Sequence, residues 1–199
     1  MKNLIFDFGN VLVRWQPELV FLPYFNNDEQ EWKHFWNDIM TLEWRNRIDA
    51  GESNLACIAE LQKLHPQYAE AIALYYKCWD EMLTGEVPGM HEILTEIKAH
   101  HLDRYRIFGL TNWSNETFPL ARKRFGILQE IDNYVVSGVE RLVKPDPRIF
   151  ELLLNRYGLK AEESIFIDDN AANVAAANKL GIDGKLFIGA DDLRQYLNL

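Results

Sequence analysis

The stretch LIFDFGNVLV, residues 4–13, decides the fold. Its apolar run, residues 4–6, is too short for a helix and gives way to Gly9 and Asn10, a pattern that predicts a buried strand followed by a tight turn. Asp7 is therefore expected at the carboxyl end of a strand, where ligands bind in open α/β sheets. An aspartate in that position is also a common turn or helix-capping residue, so this motif alone does not decide its role.

The composition is typical of a soluble globular chain and excludes some classes of partner. The chain has 199 residues, of which 48% are apolar and 26% charged, which suits one domain or one domain with a small insert. A formal charge of -9 argues against nucleic acid or a membrane surface as the main partner. No apolar run approaches the roughly 20 residues of a membrane helix, and the first strand follows Met1 almost directly, so we expect a cytoplasmic protein. Cys57 and Cys78 are expected to be free thiols.

Strand and helix patterns alternate on either side of an aromatic insert. Residues 15–85 show no convincing strand but carry many large aromatic residues at helical spacing, which predicts about four or five short helices packed around them. From residue 86 onward the alternation predicts a parallel, Rossmann-like α/β sheet with helices on both faces. The predicted division is a core domain of residues 1–14 and 86–199 and an all-helical cap domain of residues 15–85.

The second part of the chain has a definite predicted order of elements. The predicted strands are 105–110, 133–137, 164–167 and 184–188. The predicted helices are 90–99, one from the TNWSNETF segment (111–118) to about residue 125, 148–157, 171–180 and 191–197.

Polar residues mark the later strand ends of this plan. Thr111 and Asn112 offer a hydroxyl and an amide suited to a phosphate or an oxyanion, although both residue types also cap helices. Asp146 and Pro147 are explained by the start of a helix, whereas Lys144 is not. A surface lysine is the alternative interpretation there.

The segment SIFIDDNAANVAAA, residues 164–177, places two adjacent carboxylates after an apolar strand. Asp168 and Asp169 repel each other unless a cation lies beside them, and oxygen ligands of this kind suit Mg²⁺. Asp169 as the cap of the following helix is the alternative. Asn173, one helical turn on, faces the same way as Asp169 and could orient it.

In this order, the motifs resemble those of the haloacid dehalogenase superfamily of hydrolases. FDFGN (6–10), VKPDPRIF (143–150) and FIDDNAANVAAANKLGI (166–182) carry the resemblance together with Thr111. It covers nearly the whole chain, and the aromatic insert lies where that superfamily places its helical cap. The branch it resembles most contains the phosphatase domain of soluble epoxide hydrolase and a bacterial glucose-1-phosphate phosphatase.

The resemblance implies a Mg²⁺-dependent phosphatase that acts on a small phosphorylated metabolite, such as a sugar phosphate, through an aspartyl phosphate. The roles it implies are nucleophile for Asp7, magnesium ligands for Asp7, Gly9 and Asp169, phosphate binding and charge stabilisation for Thr111, Asn112 and Lys144, and support of these groups for Asp168 and Asn173.

One position departs from the superfamily pattern. Its phosphatases usually carry a second aspartate two residues after the nucleophile, which protonates the leaving group, and Gly9 stands there. Loss of a positioned acid–base group typically costs about 10²- to 10⁴-fold in rate. We therefore expect a preference for phosphates with acidic leaving groups, such as aryl, acyl or sugar 1-phosphates.

Specificity is expected to come from the insert and its first residues. Arg14 and Trp15, where the chain leaves the core, and Arg45 or Arg47 within the insert are candidates for contact with the substrate. Solvated surface arginines are the alternative for Arg45 and Arg47.

Two other functions remain open at this stage. A 2-haloacid dehalogenase would use the same aspartate without a metal, which the acidic pair disfavours. A non-catalytic relative would only bind a phosphorylated ligand or a protein, and Gly9 in place of the acid–base residue favours it modestly. The sequence indicates neither the oligomeric state nor the physiological substrate.

Overall fold

Strands and helices alternate around an inserted group of helices in this computed structural model, which describes residues 1–199. The strands are β1 (Lys2–Phe6), β2 (Val13–Trp15), β3 (Leu83–Glu86), β4 (Tyr105–Thr111), β5 (Tyr134–Val136), β6 (Ser164–Asp168) and β7 (Asp183–Leu186). The α-helices are α1 (Glu18–Tyr24), α2 (Glu29–His34), α3 (Leu42–Asp49), α4 (Asn54–Leu64), α5 (Ala69–Lys77), α6 (Met90–His100), α7 (Phe118–Arg124), α8 (Gly126–Gln129), α9 (Ser137–Glu140), α10 (Pro147–Tyr157), α11 (Ala171–Lys179) and α12 (Ala190–Leu197). A π-helical turn, Phe35–Ile39, and two 3₁₀ turns, Pro66–Tyr68 and Ala161–Glu163, complete the helical segments.

Five parallel strands form the main sheet in the order β5-β4-β1-β6-β7. Strand β1 is central and alternates its side chains between two buried clusters, with Leu4 and Phe6 on one face and Ile5 on the other. Helices cover both faces, because Leu94 of α6 packs in the first cluster and Phe150 of α10 in the second. The predicted Rossmann-like α/β fold is confirmed. As a result, the carboxyl ends of β4, β1 and β6 lie side by side.

The insert has a buried cluster of its own, in which aromatic and aliphatic side chains pack together. Phe21 stacks on Trp32 with ring centroids 5.4 Å apart, and Phe35 packs against Phe21 and Tyr68 at the same distance. Helix α3 contributes Trp44. These aromatic residues therefore pack with one another as a core, as the sequence analysis favoured.

The expectation that residues 15–85 contain no strand is wrong. Strands β2 and β3 pair antiparallel at the base of the insert, with Val13 opposite Glu86 and Trp15 opposite Leu83. Strands of three and four residues with a shifted register show no readable alternation, so the pattern was invisible in the sequence. This ribbon straddles both expected domain boundaries, and the division at residues 14–15 and 85–86 stays a prediction.

The remaining differences concern short elements. Helices α8 and α9 have four residues each and were not predicted, since one helical turn carries no periodicity. The last strand is Asp183–Leu186 rather than 184–188. None of the helices combines the length and apolar character that crossing a bilayer requires.

Candidate active site

Three carboxylates meet where β1 and β6 end. Asp7 follows β1, Asp168 is the last residue of β6, and Asp169 follows it. One carboxylate oxygen from each lies within 4.8 Å of the others. The adjacent parallel strands thus bring together residues that are far apart in sequence.

Lys144 lies in the middle of this acidic group. Its Nζ is 2.9 Å from Oδ1 of Asp7, and it donates hydrogen bonds to Oδ2 of Asp168 at 2.8 Å and to the carbonyl of Leu110 at 3.0 Å. The lysine side chain is 1% exposed, so the surface-lysine interpretation is excluded. Lys144 comes from the loop between α9 and α10 rather than from a strand end, which corrects the expected placement.

Asn112 positions that loop. Its Nδ2 donates to the carbonyl of Lys144 at 2.9 Å, and its Oδ1 accepts from the Lys144 backbone N–H at 2.8 Å. Both polar ends of the amide are therefore used within the protein, although the residue lines the cavity. The Asn112 side chain thus positions Lys144, and its expected contact with a phosphate, for which one Nδ2 hydrogen remains, stays a prediction.

Asp168 and Asp169 are held by different partners. Asp168 is fully buried and accepts hydrogen bonds from Nδ2 of Asn173 at 3.1 Å and from the backbone N–H of Asn170 at 2.7 Å. Asn173 thus orients Asp168 and not Asp169, contrary to expectation. The cap of α11 is Asn170, whose side chain accepts from Ala172, so Asp169 is free of that task.

Asn10 holds Asp169 instead and was missed as a site residue. Its Nδ2 donates to Oδ2 of Asp169 at 3.3 Å, while its Oδ1 accepts from the backbone N–H of Trp15 at 2.9 Å. Its positive φ of 55° confirms the turn predicted after β1. The sequence identified Asn10 as a turn residue, but nothing local indicated the direction of its side chain.

The charges of the site influence one another strongly. Burial raises the pKa of Asp7, and Asp168 adds to this, while Lys144 opposes it. Burial and Asp168 likewise raise the pKa of Asp169. For Lys144, burial lowers the pKa, but the attraction of Asp7 and Asp168 outweighs it and leaves the pKa raised. Three carboxyl groups thus share one ammonium group, an arrangement that a divalent cation would balance.

The donor set and one unpaired hydroxyl indicate what the site could hold. Carboxylate oxygens are the donors here, without cysteine or histidine, and such a set fits Mg²⁺. Oγ1 of Thr111 is buried and has no hydrogen-bond partner in the protein. A buried polar group left unpaired typically costs about 1–3 kcal/mol, so a ligand oxygen within reach of this hydroxyl would be stabilised.

A cavity of about 300 Å³ lies between these strand ends and the insert. Its polar floor is formed by Asp7, Gly9, Asn10, Asn112, Lys144 and Asp169. Its opposite wall includes the apolar and aromatic residues Trp15, Leu42, Tyr75, Trp79 and Leu83. A ligand would therefore meet charge at one end and aromatic surface at the other.

A family profile described as haloacid dehalogenase-like hydrolase matches residues 1–181. The chain belongs to the haloacid dehalogenase-like hydrolases.

Individual relatives are similar to this chain over different lengths. Acyl-CoA dehydrogenase family member 10 of Mus musculus is 39% identical over 106 residues, which are 51% of this chain but only 9% of that protein. Sesquiterpene phosphatase astK of Aspergillus oryzae is 26% identical over 187 residues, covering 92% of this chain and 88% of that protein. A HAD family enzyme of Bacteroides thetaiotaomicron, solved as a magnesium complex, has the same fold with a TM-score of 0.74 at 17% identity, covering 100% of this chain and 99% of that chain.

The predicted specificity residues of this hydrolase differ in their positions. Trp15 lines the cavity and packs edge-on against Tyr75, with centroids 6.4 Å apart. Arg14 is exposed on β2 and does not line the cavity, so the structure does not bring it to the other predicted site residues. Arg45 lines the cavity, but its guanidinium donates to the carbonyls of Trp36 and Met40 and lies over the Trp36 ring.

Arg45 therefore supports the insert, because its charge is engaged with backbone carbonyls. Arg47 forms ion pairs at 2.8 Å with Glu52 and Glu60 and does not line the cavity, in agreement with the surface alternative. A residue that sequence reasoning missed is Asp49, which lines the cavity four residues after Arg45. Its segment was noted for its arginines, and nothing in the local pattern indicated a carboxyl facing the site.

Proposed function

We propose that this hydrolase is a Mg²⁺-dependent phosphatase that acts on a small phosphorylated metabolite through an aspartyl phosphate on Asp7. The observation that carries the proposal is the meeting of Asp7, Asp168 and Asp169 around Lys144 at the floor of the cavity. A dehalogenase needs no metal, so the acidic group favours phosphate chemistry. The relative named as a sesquiterpene phosphatase, aligned along most of the chain, supports the same reaction class.

In the proposed reaction, Asp7 attacks phosphorus and the bond to the leaving oxygen breaks, after which water attacks the aspartyl phosphate and releases phosphate. Lys144 lies against Asp7, and its ammonium group would stabilise charge on the non-bridging oxygens. The unpaired hydroxyl of Thr111 is a second donor for those oxygens.

The metal would be held by Asp7, Asp169 and the backbone carbonyl of Gly9. When bound, Mg²⁺ supplies positive charge that screens the carboxylates from the phosphate. Asn10 holds Asp169 in place for this task, while Asn173 and Lys144 fix Asp168 behind it.

The insert, residues 15–85, is proposed to act as the cap that selects the substrate. Trp15, Tyr75 and Trp79 form an aromatic surface that would pack against a sugar ring or against an apolar chain. Exclusion of water by this surface would protect the phosphorylated aspartate until the dephosphorylated product has left the cavity.

The experiment is phosphate release from a panel of phosphate monoesters with Mg²⁺ and with excess chelator. We expect turnover with metal, loss of turnover with chelator, and no turnover by Asp7→Asn. Arg14→Ala is the control, because Arg14 is exposed outside the cavity and should leave the rate unchanged. Metal-independent halide release from 2-chloropropionate, without phosphate release, would support the dehalogenase alternative instead.

A further inference from the structure

Asp49 presents a carboxyl group to the active-site cavity from a helix of the insert and not from a strand end of the main sheet. It is the last residue of α3 and lines the same cavity as Asp7 and Lys144. Only its backbone carbonyl takes part in a hydrogen bond outside the helix, accepting from Oγ of Ser137 at 2.6 Å. Its carboxyl oxygens have no hydrogen-bond or ion-pair partner in the protein, which is uncommon for a half-buried acid.

The end of α3 is fastened to the core, so this carboxyl has a defined place. Oγ of Ser137 also accepts from the backbone N–H of Trp113 at 2.9 Å and thereby joins Asp49 to the segment after β4. A few residues on, Nδ2 of Asn54 donates to Oγ of Ser114 at 2.9 Å. These bonds hold Asp49 at a fixed distance from the strand ends.

The groups that face Asp49 come from three elements. Arg45 lies on its own helix, Tyr75 on α5, and Lys144 on the loop before α10. Burial raises the pKa of Asp49 to about 7, while the charges of Arg45 and Lys144 oppose this. An acid poised near neutral pH can both donate and accept a proton during turnover.

We propose that Asp49 performs the acid–base role that Gly9 cannot. This inference rests on the proposed phosphatase function. The nucleophile and the leaving oxygen lie roughly in line at phosphorus, so a leaving group attacked from the floor by Asp7 points toward the insert. Asp49 is the carboxyl that the insert contributes to the cavity lining.

Other proton donors are excluded by position or chemistry. None of the five histidines lines the cavity. The remaining cavity carboxyls, Asp7 and Asp169, are assigned to the nucleophile and the metal. Burial and the nearby Asp49 raise the pKa of Tyr75 well above its usual value, so it is a poor acid–base group near neutral pH.

The proton balance closes over two steps. In the first, the Oδ–P bond to Asp7 forms, the P–O bond to the leaving group breaks, and the proton of the Asp49 carboxyl moves to the leaving oxygen. In the second, water attacks phosphorus and gives a proton to the Asp49 carboxylate, while the Oδ–P bond breaks and returns Asp7 as a carboxylate. The net reaction is hydrolysis, with Asp49 protonated again.

The proposed role of Asp49 makes the preference for phosphates with acidic leaving groups weaker than the sequence alone predicts. With Asp49 present, alkyl phosphates should also be turned over. In Asp49→Asn, the leaving oxygen must depart unprotonated. We therefore expect a strong preference of this variant for phosphates with acidic leaving groups.

The test compares kcat/KM for p-nitrophenyl phosphate and ethyl phosphate in wild type, Asp49→Asn and Asp49→Ser. Because kcat/KM reports the first step, the common second step does not interfere. We expect both variants to lose about 10²-fold more on ethyl phosphate than on p-nitrophenyl phosphate. The plot of kcat/KM against pH for ethyl phosphate should also lose its change near neutral pH in both variants. Asn46→Ala, on the same helix and the same cavity, is the matched control and should change both substrates equally.

Each outcome has one meaning. Selective loss on ethyl phosphate, reversed by adding Gly9→Asp to Asp49→Asn, supports the inference. Equal losses on both substrates with an unchanged pH profile overturn it, because a merely structural residue would behave that way. A wild type inactive on every phosphate overturns the proposed function itself, which is a distinguishable result.

Discussion

Lys144 is the residue that allows three carboxyl groups to share one site. Its Nζ contacts both Asp7 and Asp168 at less than 3 Å in a position closed to solvent. Burying such a group is costly unless its charges are paired and its hydrogen bonds satisfied. The carbonyl of Leu110 supplies the third acceptor, so every proton of the ammonium group has a partner. In the proposed reaction, Lys144 thus has a structural and a catalytic role at once.

Replacing Lys144 by methionine removes this charge and keeps most of the side-chain volume. We expect Lys144→Met to lower the free energy of unfolding by about 3 kcal/mol in chelator, because buried carboxylates lose their partner. Added Mg²⁺ should recover part of the loss. Urea unfolding with and without the metal measures both effects. The control is Lys160→Met, whose pair with Glu163 is exposed and worth at most about 1 kcal/mol. Equal effects of the two variants would contradict this account of the site.

Gly9 leaves room for the acid–base residue that it replaces. A Cβ at this position would meet nothing within 4 Å, so the first side-chain atom of an aspartate displaces no neighbour. Gly9→Asp should leave Mg²⁺ affinity intact and raise ethyl phosphate turnover in the Asp49→Asn background by about 10²-fold. In Gly9→Asn, the new side chain has the size of aspartate but no acidic proton, so it should not raise ethyl phosphate turnover. Steady-state kinetics and metal titration test this, and equal behaviour of both variants would contradict it.

The titration of Asp49 should also affect how the stability of the fold depends on pH, which can be measured without an activity assay. Its pKa is about 7 in the folded chain, against about 4 when unfolded. Ionisation therefore favours the unfolded chain, and wild type should lose stability as the pH rises from about 4 through about 7. Asp49→Asn lacks this loss. Its Tm relative to wild type should rise by a few degrees between about pH 5 and pH 8. A difference in Tm that is flat with pH would show that Asp49 titrates normally.

At the residue scale, the sequence predicted the groups that strand ends bring together. Asp7 and Asp168 were found because a parallel sheet gathers the carboxyl ends of its strands at one edge. The positioning role of Asn112 was not predicted, because its bonds to a distant loop leave no trace in local sequence. Asp49 was missed for a similar reason, since its place over the cavity depends on how α3 meets the core.

At the scale of elements, the contact between α3 and α9 decides how the insert sits on the core. Gly51 follows α3 with a φ of +87°, and a Cβ there would lie 2.2 Å from the carbonyl oxygen of Gly138 in α9. Only glycine allows two backbones to approach so closely. The hydrogen bond from Ser137 to Asp49 lies beside this approach.

Gly51→Ala should loosen this contact. We expect it to destabilise the fold by more than Gly158→Ala, the matched control, which also has positive φ but nothing within 4 Å of the added Cβ. The control should cost about 1 kcal/mol from backbone strain alone. Gly51→Ala adds a clash with backbone and should also displace Asp49 and reduce ethyl phosphate turnover. Thermal unfolding and kinetics of the two variants measure this, and equal losses in both would contradict the role given to the contact.

Long elements were predictable and very short ones were not. Helix α10 was recognised from Asp146 and Pro147 at its start, and Asp146 does accept from the backbone N–H of Arg148. The β2–β3 ribbon was missed because pairing across the whole insert stabilises strands that show no pattern of their own. The start of α10 is stabilised by a contact between neighbouring residues, which a sequence pattern can show. The ribbon is stabilised by a contact between residues far apart in the chain, which such a pattern does not show.

At the scale of the whole molecule, the sheet and the insert contribute opposite halves of one site. The sheet edge provides the charged floor, and the insert provides the aromatic wall and Asp49. A chain with a net charge of -9 does not attract phosphate over long distances. Local positive charge from Lys144 and the proposed Mg²⁺ must therefore bind the anion.

In the proposed mechanism, Asp7 accepts a phosphoryl group beside a metal ion. The most direct measurement is a crystal structure of the protein grown with Mg²⁺ and beryllofluoride, a mimic of the phosphorylated aspartate. We expect beryllium bonded to a carboxylate oxygen of Asp7, a fluorine within reach of Lys144, and Mg²⁺ on Asp7 and Asp169. Beryllofluoride bonded to another residue, or missing from Asp7 in a preparation that hydrolyses phosphate esters, would contradict it.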